Sequence, residues 1–276
     1  MNDPIQTAKQ GVVLIGEIIK AAGDNPNVKE AGENLGQTAL TITKTINNVM
    51  LPLAAVNFAF DKARIYFAER FPQELSAKAS AIPAEQLVEP KASIAGPALQ
   101  GLAFTHEETN LKEMYLSLLA TAMDGRVKAE AHPAFVEIIK QLDSEEAGLL
   151  QGLLREEVVG FAIVEIRITK NGAQGWNVLE KHIMNLTSPA TGEPWESPRQ
   201  GAMIDNWVRL GLAEVCYGTK RLGGGKDAYA WVDMRPEYIR HKAREQIEPI
   251  KITFEPGVIS RTALGVQFGR AVGLLH

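Results

Sequence analysis

The feature that most limits the fold is a series of short apolar stripes at helical spacing between residues 105 and 154, each with its own start and stop. Leu111, Met114, Tyr115, Leu118 and Ala122 recur at three- and four-residue steps, which places them on one face of an α-helix. Thr105-His106-Glu107-Glu108 before them reads as a capping box: the Thr hydroxyl accepts from the amide three residues on, and Glu108 reaches back. Asp124-Gly125 reads as the stop. After His132-Pro133 the stripe repeats as Phe135, Ile138, Ile139 and Leu142, and Asp143-Ser144-Glu145-Glu146 caps a third helix carrying Leu149, Leu150, Leu153 and Leu154. Short turns between such helices predict antiparallel neighbours in a bundle.

The residues before this run are less regular. GVVLIGEIIKAA (11–22) places Val12, Ile15, Ile18, Ile19 and Ala22 on one stripe, and Gly23-Asp24-Asn25-Pro26 stops it. A second pattern from about Val28 to Met50 carries Leu35, Ala39, Ile42, Ile46 and Val49. The expectation is amphipathic helices that pack on the body of the protein or on a second copy. An interfacial membrane helix is the alternative, though the polar face is not rich in Lys and Arg. The uncharged window from Thr45 to Phe60 is 16 residues long and contains Asn47, Asn48, Pro52 and Asn57. A membrane span needs about 20 apolar residues, so no span is predicted. Beyond Pro52 a helix to about Phe71 carries Val56, Phe60, Ala63, Phe67 and Phe71 on one side. Phe58, Phe60, Tyr66, Phe67 and Phe71 then read as a core aromatic cluster. Residues 72–97 hold Pro72, Pro83, Pro90 and Pro97, and the stretch IPAEQLVEPKASIAGP (82–97) suggests an extended connection ending in a helix begun by Pro97.

The texture changes after Glu157. VVGFAIVEIRI is rich in β-branched residues and reads as a strand. Ala202 to Leu210 reads as a helix closed by Gly211, and Pro236 to Ile247 as another. Between them, LAEVCYG and AYAWVDM flank TKRLGGGKD as a long-looped β-hairpin. Helix, Leu-Gly turn, strand, basic glycine-rich loop and strand make the outline of a winged-helix-like unit.

Composition excludes several chemistries. The single Cys216 leaves no intramolecular disulfide framework and no cysteine-rich zinc site. The five histidines, at 106, 132, 182, 241 and 276, lack metal-ligand spacing, and HExxH, GxSxG and CxxC are all absent. RLGGGKD is not a P-loop, since Lys220 stands where its first glycine belongs and Asp227 follows Lys226. Glu107, Glu108 and Glu113 suit capping and a solvated face better than paired catalysis. No catalytic, cofactor-binding or metal residue emerges, and the expectation is a protein that is not an enzyme.

The net charge of −4 argues against binding nucleic acid through overall basic charge. The charge is uneven, however. Residues 101–150 hold 4 Lys/Arg against 9 Asp/Glu, whereas residues 151–276 hold 16 against 14. Lys220, Arg221 and Lys226 lie on the expected wing, with Arg235, Arg240, Lys242 and Arg244 just after it. Positive wings contact phosphate in DNA-binding winged helices. Lys220, Arg221, Lys226, Arg240 and Arg244 are therefore the candidates for a phosphate or partner contact. The helix before the wing offers Arg209 as its sole basic group, which favours a protein-contact or merely structural winged fold over nucleic acid.

Three punctuated blocks in order, QLVEPKASIAGPALQGLAF (86–104), EETNLKEMYLSLLATAMDG (107–125) and AHPAFVEIIKQLDSEEAGLL (131–150), followed by a closing ISRTALGVQFGRA (259–271), resemble the abortive-infection alpha family. That family is bacterial and associated with defence against phage. The motifs are packing and capping devices, so the resemblance carries over no catalytic residue. The expected fold is α+β and mostly α, an N-terminal helical bundle followed by a winged-helix-like C-terminal part. Its divisions are amphipathic helices over 1–44, the helical family core over 45–157 and the winged-helix-like part over 158–276. The resemblance implies a context of self-limiting defence and no defined mechanism; with no catalytic motif present, the expectation is a non-enzymatic phage-defence protein acting through protein–protein contacts, as a homo-oligomer or with another protein, and without a cofactor. The alternatives are a membrane-perturbing effector using residues 11–71 and a nucleic-acid-binding regulator using the basic wing. Residues 1–25 show no export signal, which predicts a cytoplasmic protein; association with a membrane when triggered belongs to the membrane-effector alternative.

Overall fold

The computed structural model describes residues 58–155, 160–218 and 225–275. The helices expected over 11–22 and 28–50 lie outside the described residues, as does the wing tip at 219–224. The chain divides into two units, one ending at Gln151 and completed by Gln267–His276, the other running from Gly152 to Val266. Helices dominate, accompanied by one small antiparallel sheet.

In the first unit α1 (Phe58–Glu69), α2 (Phe71–Ala79), α3 (Ala92–Thr105), α4 (Thr109–Met123) and α5 (Pro133–Ile139) precede α6 (Ser144–Arg155), which continues into the second unit. The stripe read from the sequence is the core: Leu111, Met114, Tyr115, Leu118 and Ala122 are buried, as are Phe135, Ile138, Ile139 and Leu142. Tyr66, Phe67 and Phe71 meet edge to face with ring centroids 5.2–6.2 Å apart, a favoured aromatic geometry. Tyr66 also stacks on His106 at 4.9 Å. Glu74 joins the helices by accepting from the Tyr66 hydroxyl at 2.9 Å, Lys112 at 2.9 Å and Arg70 at 3.0 Å.

Local chemistry decides several boundaries. The second capping box forms as read: the Glu146 amide donates to Asp143 Oδ1 at 2.8 Å, and the Asp143 amide to Glu146 Oε2 at 3.5 Å. The first does not. Thr105 is the last residue of α3, and its hydroxyl donates to Gly101 O at 3.1 Å, one turn back in the same helix. The apolar run through Leu102 and Ala103 carries α3 past the expected cap, and α4 starts only at Thr109. The connection expected over 82–97 is present, with a 3₁₀ turn at Ala84–Gln86, but it ends at Lys91 and not at Pro97. Pro72 sits in the first turn of α2, where its missing N–H costs no helical bond, whereas Pro97 lies inside α3. Burial of Ile94, Ala95, Ala98, Leu99 and Leu102 outweighs the bond lost at Pro97. Gly125 ends α4 for a different reason than expected. Its amide donates to Gln86 O at 2.7 Å, and a Cβ there would fall 2.9 Å from that oxygen. It permits a close approach of two strands of backbone and does not adopt a positive φ.

The second unit holds β1 (Phe161–Lys170), β2 (Asn177–Met184), α7 (Gln200–Arg209), β3 (Ala213–Tyr217), a 3₁₀ stretch over Gly225–Met234, α8 (Pro236–Lys242) with a 3₁₀ turn at Ala243–Gln246, and β4 (Ile250–Arg261). Helix α9 (Ala263–Ala271) runs from this unit into the closing residues of the first. The sheet order is β2-β1-β4-β3, antiparallel throughout. Val164, Ile166, Ile168 and Ile252 point to one face, covered by Tyr229, Val232 and Tyr238. Gly211 closes α7 at φ +74°, as its position predicts.

The winged hairpin is not formed. AYAWVDM is 3₁₀ helical, and β3 pairs with β4, from Ala213 opposite Arg261 to Tyr217 opposite Gly257. Tyr229 and Val232 are three residues apart and both buried. That is the 3₁₀ period, and it lets them cover the sheet where alternating strand residues would face opposite ways. Strand β4, to which the sequence reading assigned no strand over 250–258, takes the place beside β3.

Candidate functional site

Of the basic residues singled out from the sequence as contacts, Arg240 and Arg244 are the ones whose side chains are described, and both are paired with carboxylates. Lys220 and Arg221 lie outside the described residues, as does the side chain of Lys226. Arg240, on α8, donates to Glu196 at 2.8 Å and to Glu180 at 3.3 Å. The Glu196 hydrogen bond, seconded by Glu180, holds its guanidinium pKa above the usual arginine value. Arg244 is paired with Glu248 one turn on, at 3.0 and 3.2 Å, which raises its pKa in the same sense. Lys242 donates to Glu245 at 2.7 Å and to Ile252 O at 3.0 Å. Arg235 is 1% exposed and serves the fold: it grips Glu237 and donates to Leu186 O and Trp195 O at 2.9 and 2.8 Å. Four cations after the expected wing thus have carboxylate partners within their own unit.

The same segment exposes apolar side chains. Met234 is 73% exposed, Ile239 51% and Ile247 88%. Helix α8 explains Ile239: Glu237 and Tyr238 turn inward against the sheet, which leaves the next residue pointing out. Single exposed apolar residues are ordinary; here three large ones fall within fourteen residues of chain.

A second constellation escaped the sequence reading. His182 stands in β2 at φ +62°, the left-handed region that a non-glycine residue seldom enters. The register shows why. Val164 pairs with Ile183 and Ile166 with Glu180, so β2 carries one residue more than β1 between those pairs. This is a β-bulge, a device that re-aims a side chain. The re-aimed His182 is 5% exposed and fully engaged. Its amide donates to the Tyr217 hydroxyl at 3.1 Å, and Nδ1 lies 2.9 Å from the same oxygen. Its Nε2 lies 3.0 Å from Asp205 Oδ1, and its carbonyl accepts from Gln200 at 3.0 Å. One assignment satisfies every group: Nε2–H donates to the Asp205 carboxylate, Nδ1 accepts from the Tyr217 hydroxyl, and that hydroxyl accepts from the His182 amide. Strands β2 and β3 are the two edges of the sheet, so His182 and Tyr217 draw those edges together and α7 fastens them. Burial pushes the Tyr217 phenol above its ordinary pKa, with Glu165 and Asp205 adding to the shift against the His182 amide. The hydroxyl therefore stays protonated and works as a clasp. A histidine among β-branched residues gives no signal of this; the bulge arises only from strand pairing.

On the same sheet face, Arg167 bridges Glu165 and Glu255 at 2.8 and 2.7 Å, and its guanidinium lies 3.6 Å from the centroid of the half-exposed Trp176 ring. Among the described residues no group of three or more His, Cys, Asp or Glu could hold a metal ion, and no helix is long and apolar enough to cross a membrane.

No curated protein and no solved structure matches the chain. The model of the family described as abortive infection alpha matches residues 63–272, taking in both the helical core and the sheet unit. The chain is accordingly a member of the abortive infection alpha family.

Proposed function

We propose that this protein acts in abortive-infection phage defence without catalysing a reaction, by contacting protein as a homo-oligomer or with another partner. The observation that carries the reading is the segment from Met234 to Ile247. It exposes three large apolar side chains while Arg240, Lys242 and Arg244 are already neutralised by neighbouring carboxylates. Releasing an arginine from such pairs to meet a phosphate gains little net attraction. Burying exposed Met and Ile against protein contributes about 25 cal/mol per Å² of apolar surface.

The test uses bacteria carrying the full-length protein and challenged with a phage panel. Changing Met234, Ile239 and Ile247 together to Ser should leave expression and melting unchanged, shift the protein to a smaller species in light scattering or cross-linking, and abolish protection. Arg240→Ala with Arg244→Ala should retain protection. Protection that survives the triple change refutes the reading. Loss of protection in the arginine pair, together with a salt-dependent affinity for DNA, replaces it with a nucleic-acid regulator. Untriggered flotation of the full-length protein with liposomes replaces it with a membrane effector using residues 11–71.

A further inference from the structure

Helix α8 and the 3₁₀ turn after it carry an outward crest from which the charged side chains lean away. Glu237 and Tyr238 point inward and are buried. Arg240 reaches Glu180 of β2 and Glu196, whereas Lys242 reaches Ile252 O of β4. Strand β1 lies between β2 and β4, so these two cations lean to opposite sides and leave the crest uncharged. On the crest Ile239, Ala243 and Gln246 are exposed at steps of four and three, and Ile247 follows where the turn ends. Such steps keep residues on one side of a helix.

We propose that the protein self-associates as an antiparallel, two-fold dimer through this crest, with Ala243 at the axis. The inference rests on the protein-contact reading of the segment and names the partner as a second copy of the chain. Spacing supports it first. Ile239 and Ile247 stand four residues on either side of Ala243. A two-fold axis beside Ala243 sets Ile239 of each copy against Ile247 of the other, and the small side chain at the axis lets the backbones approach. In a two-fold interface residue i meets j and j meets i. Charge supports it next. Arg240, Lys242 and Arg244 precede Glu245 and Glu248 along the chain. Antiparallel copies therefore lay the basic half of each crest beside the acidic half of the other, whereas parallel copies would set like on like. Each of these cations also has a carboxylate in its own unit, so the patch presents no net sign to nucleic acid or anionic lipid. The area fits a reversible dimer. A standard interface buries about 800 Å² per partner. Met234, Ile239 and Ile247 supply an apolar centre smaller than that, and the ion pairs make a polar rim.

Disulfide mapping on the full-length protein tests the axis, in a Cys216→Ser background so that each introduced thiol stands alone. A disulfide needs Cβ atoms about 3.5–4.5 Å apart. Ala243→Cys should therefore give a covalent dimer under mild oxidation. Ile239→Cys alone and Ile247→Cys alone should give little, while a mixture of the two should form the mixed dimer. In sedimentation equilibrium the parent should dimerise with rising concentration. Ile247→Ser should weaken that dimer at least about 10-fold, since a two-fold interface loses the side chain twice. The inference is overturned by a parent that stays monomeric at about 1 mM, by a dimer that Ile247→Ser leaves intact, or by Ile239→Cys or Ile247→Cys protein linking to itself as readily as Ala243→Cys does. A monomeric parent whose triple Met234, Ile239 and Ile247 variant still loses protection overturns the second copy alone and assigns the segment to a different protein. Protection that survives the triple change while Ala243→Cys cross-links keeps the dimer and refutes its role in defence.

Discussion

His182 offers a test in which the sign of the answer matters. In an ordinary strand, glycine is less stable than alanine by roughly 0.5–1 kcal/mol, because its unfolded chain has more freedom to lose. At φ +62° the order reverses. An L-residue with a Cβ is strained there by about 1–2 kcal/mol, and glycine is not. His182→Ala and His182→Gly both lose the side-chain bonds to Tyr217 and Asp205, and both keep the amide that donates to Tyr217. The lost interactions therefore cancel between the two variants, leaving the backbone term. The expectation is that His182→Gly is more stable than His182→Ala by about 1 kcal/mol. With an m-value of about 2 kcal/mol/M, that is a difference of ~0.5 M in the urea midpoint. Trp207 is buried in α7, which packs on both edge strands, so its fluorescence reports the transition. Both variants should fall below the parent. An alanine variant as stable as the glycine variant, or more so, refutes the bulge and the clasp built on it.

Leu118→Ala should cost about 2–5 kcal/mol, because Leu118 is completely buried in α4, and chemical denaturation measures it. Asp143→Ala should cost about 1 kcal/mol through loss of a genuine cap, whereas Thr105→Ala should stay within about 0.5 kcal/mol, since its hydroxyl caps nothing; equal losses for the two would contradict the boundary between α3 and α4. Arg235→Ala should cost about 3–5 kcal/mol by leaving Glu237 buried and unpaired, and adding Glu237→Gln should recover part of that in a double-mutant cycle. The Arg126 hydrogen bond holds the Asp124 carboxyl below the usual aspartate range. A depressed folded-state pKa means that this stabilisation is complete above about pH 4 and fades as the pH falls through the folded value. Asp124→Asn should accordingly flatten the acid limb of a melting-versus-pH curve while leaving its neutral slope alone; an unchanged acid limb would dissociate Asp124 from acid stability.

The helical core was legible in the sequence because its signals are local. The spacing of Leu111, Met114, Tyr115 and Leu118 fixes one helix face whatever that face meets, and Asp143 and Glu146 satisfy each other within a single turn. The family blocks between 86 and 150 were readable for the same reason. Where the sequence misled, a distant partner outweighed a local preference. Thr105 could have begun a helix, but the buried stripe of α3 carried that helix through it. Pro97 should have started a helix, but six buried apolar neighbours tolerate it inside one. LAEVCYG and AYAWVDM looked like a hairpin, but β4 offered β3 a full set of partners from Arg261 back to Gly257. The His182 clasp had no sequence signal, because it exists only through the extra residue that β2 carries relative to β1. Hydrophobic period and capping act over three or four residues and can be read along the chain. Strand register and closure of a sheet edge depend on residues far apart in sequence, and only the tertiary structure decided them.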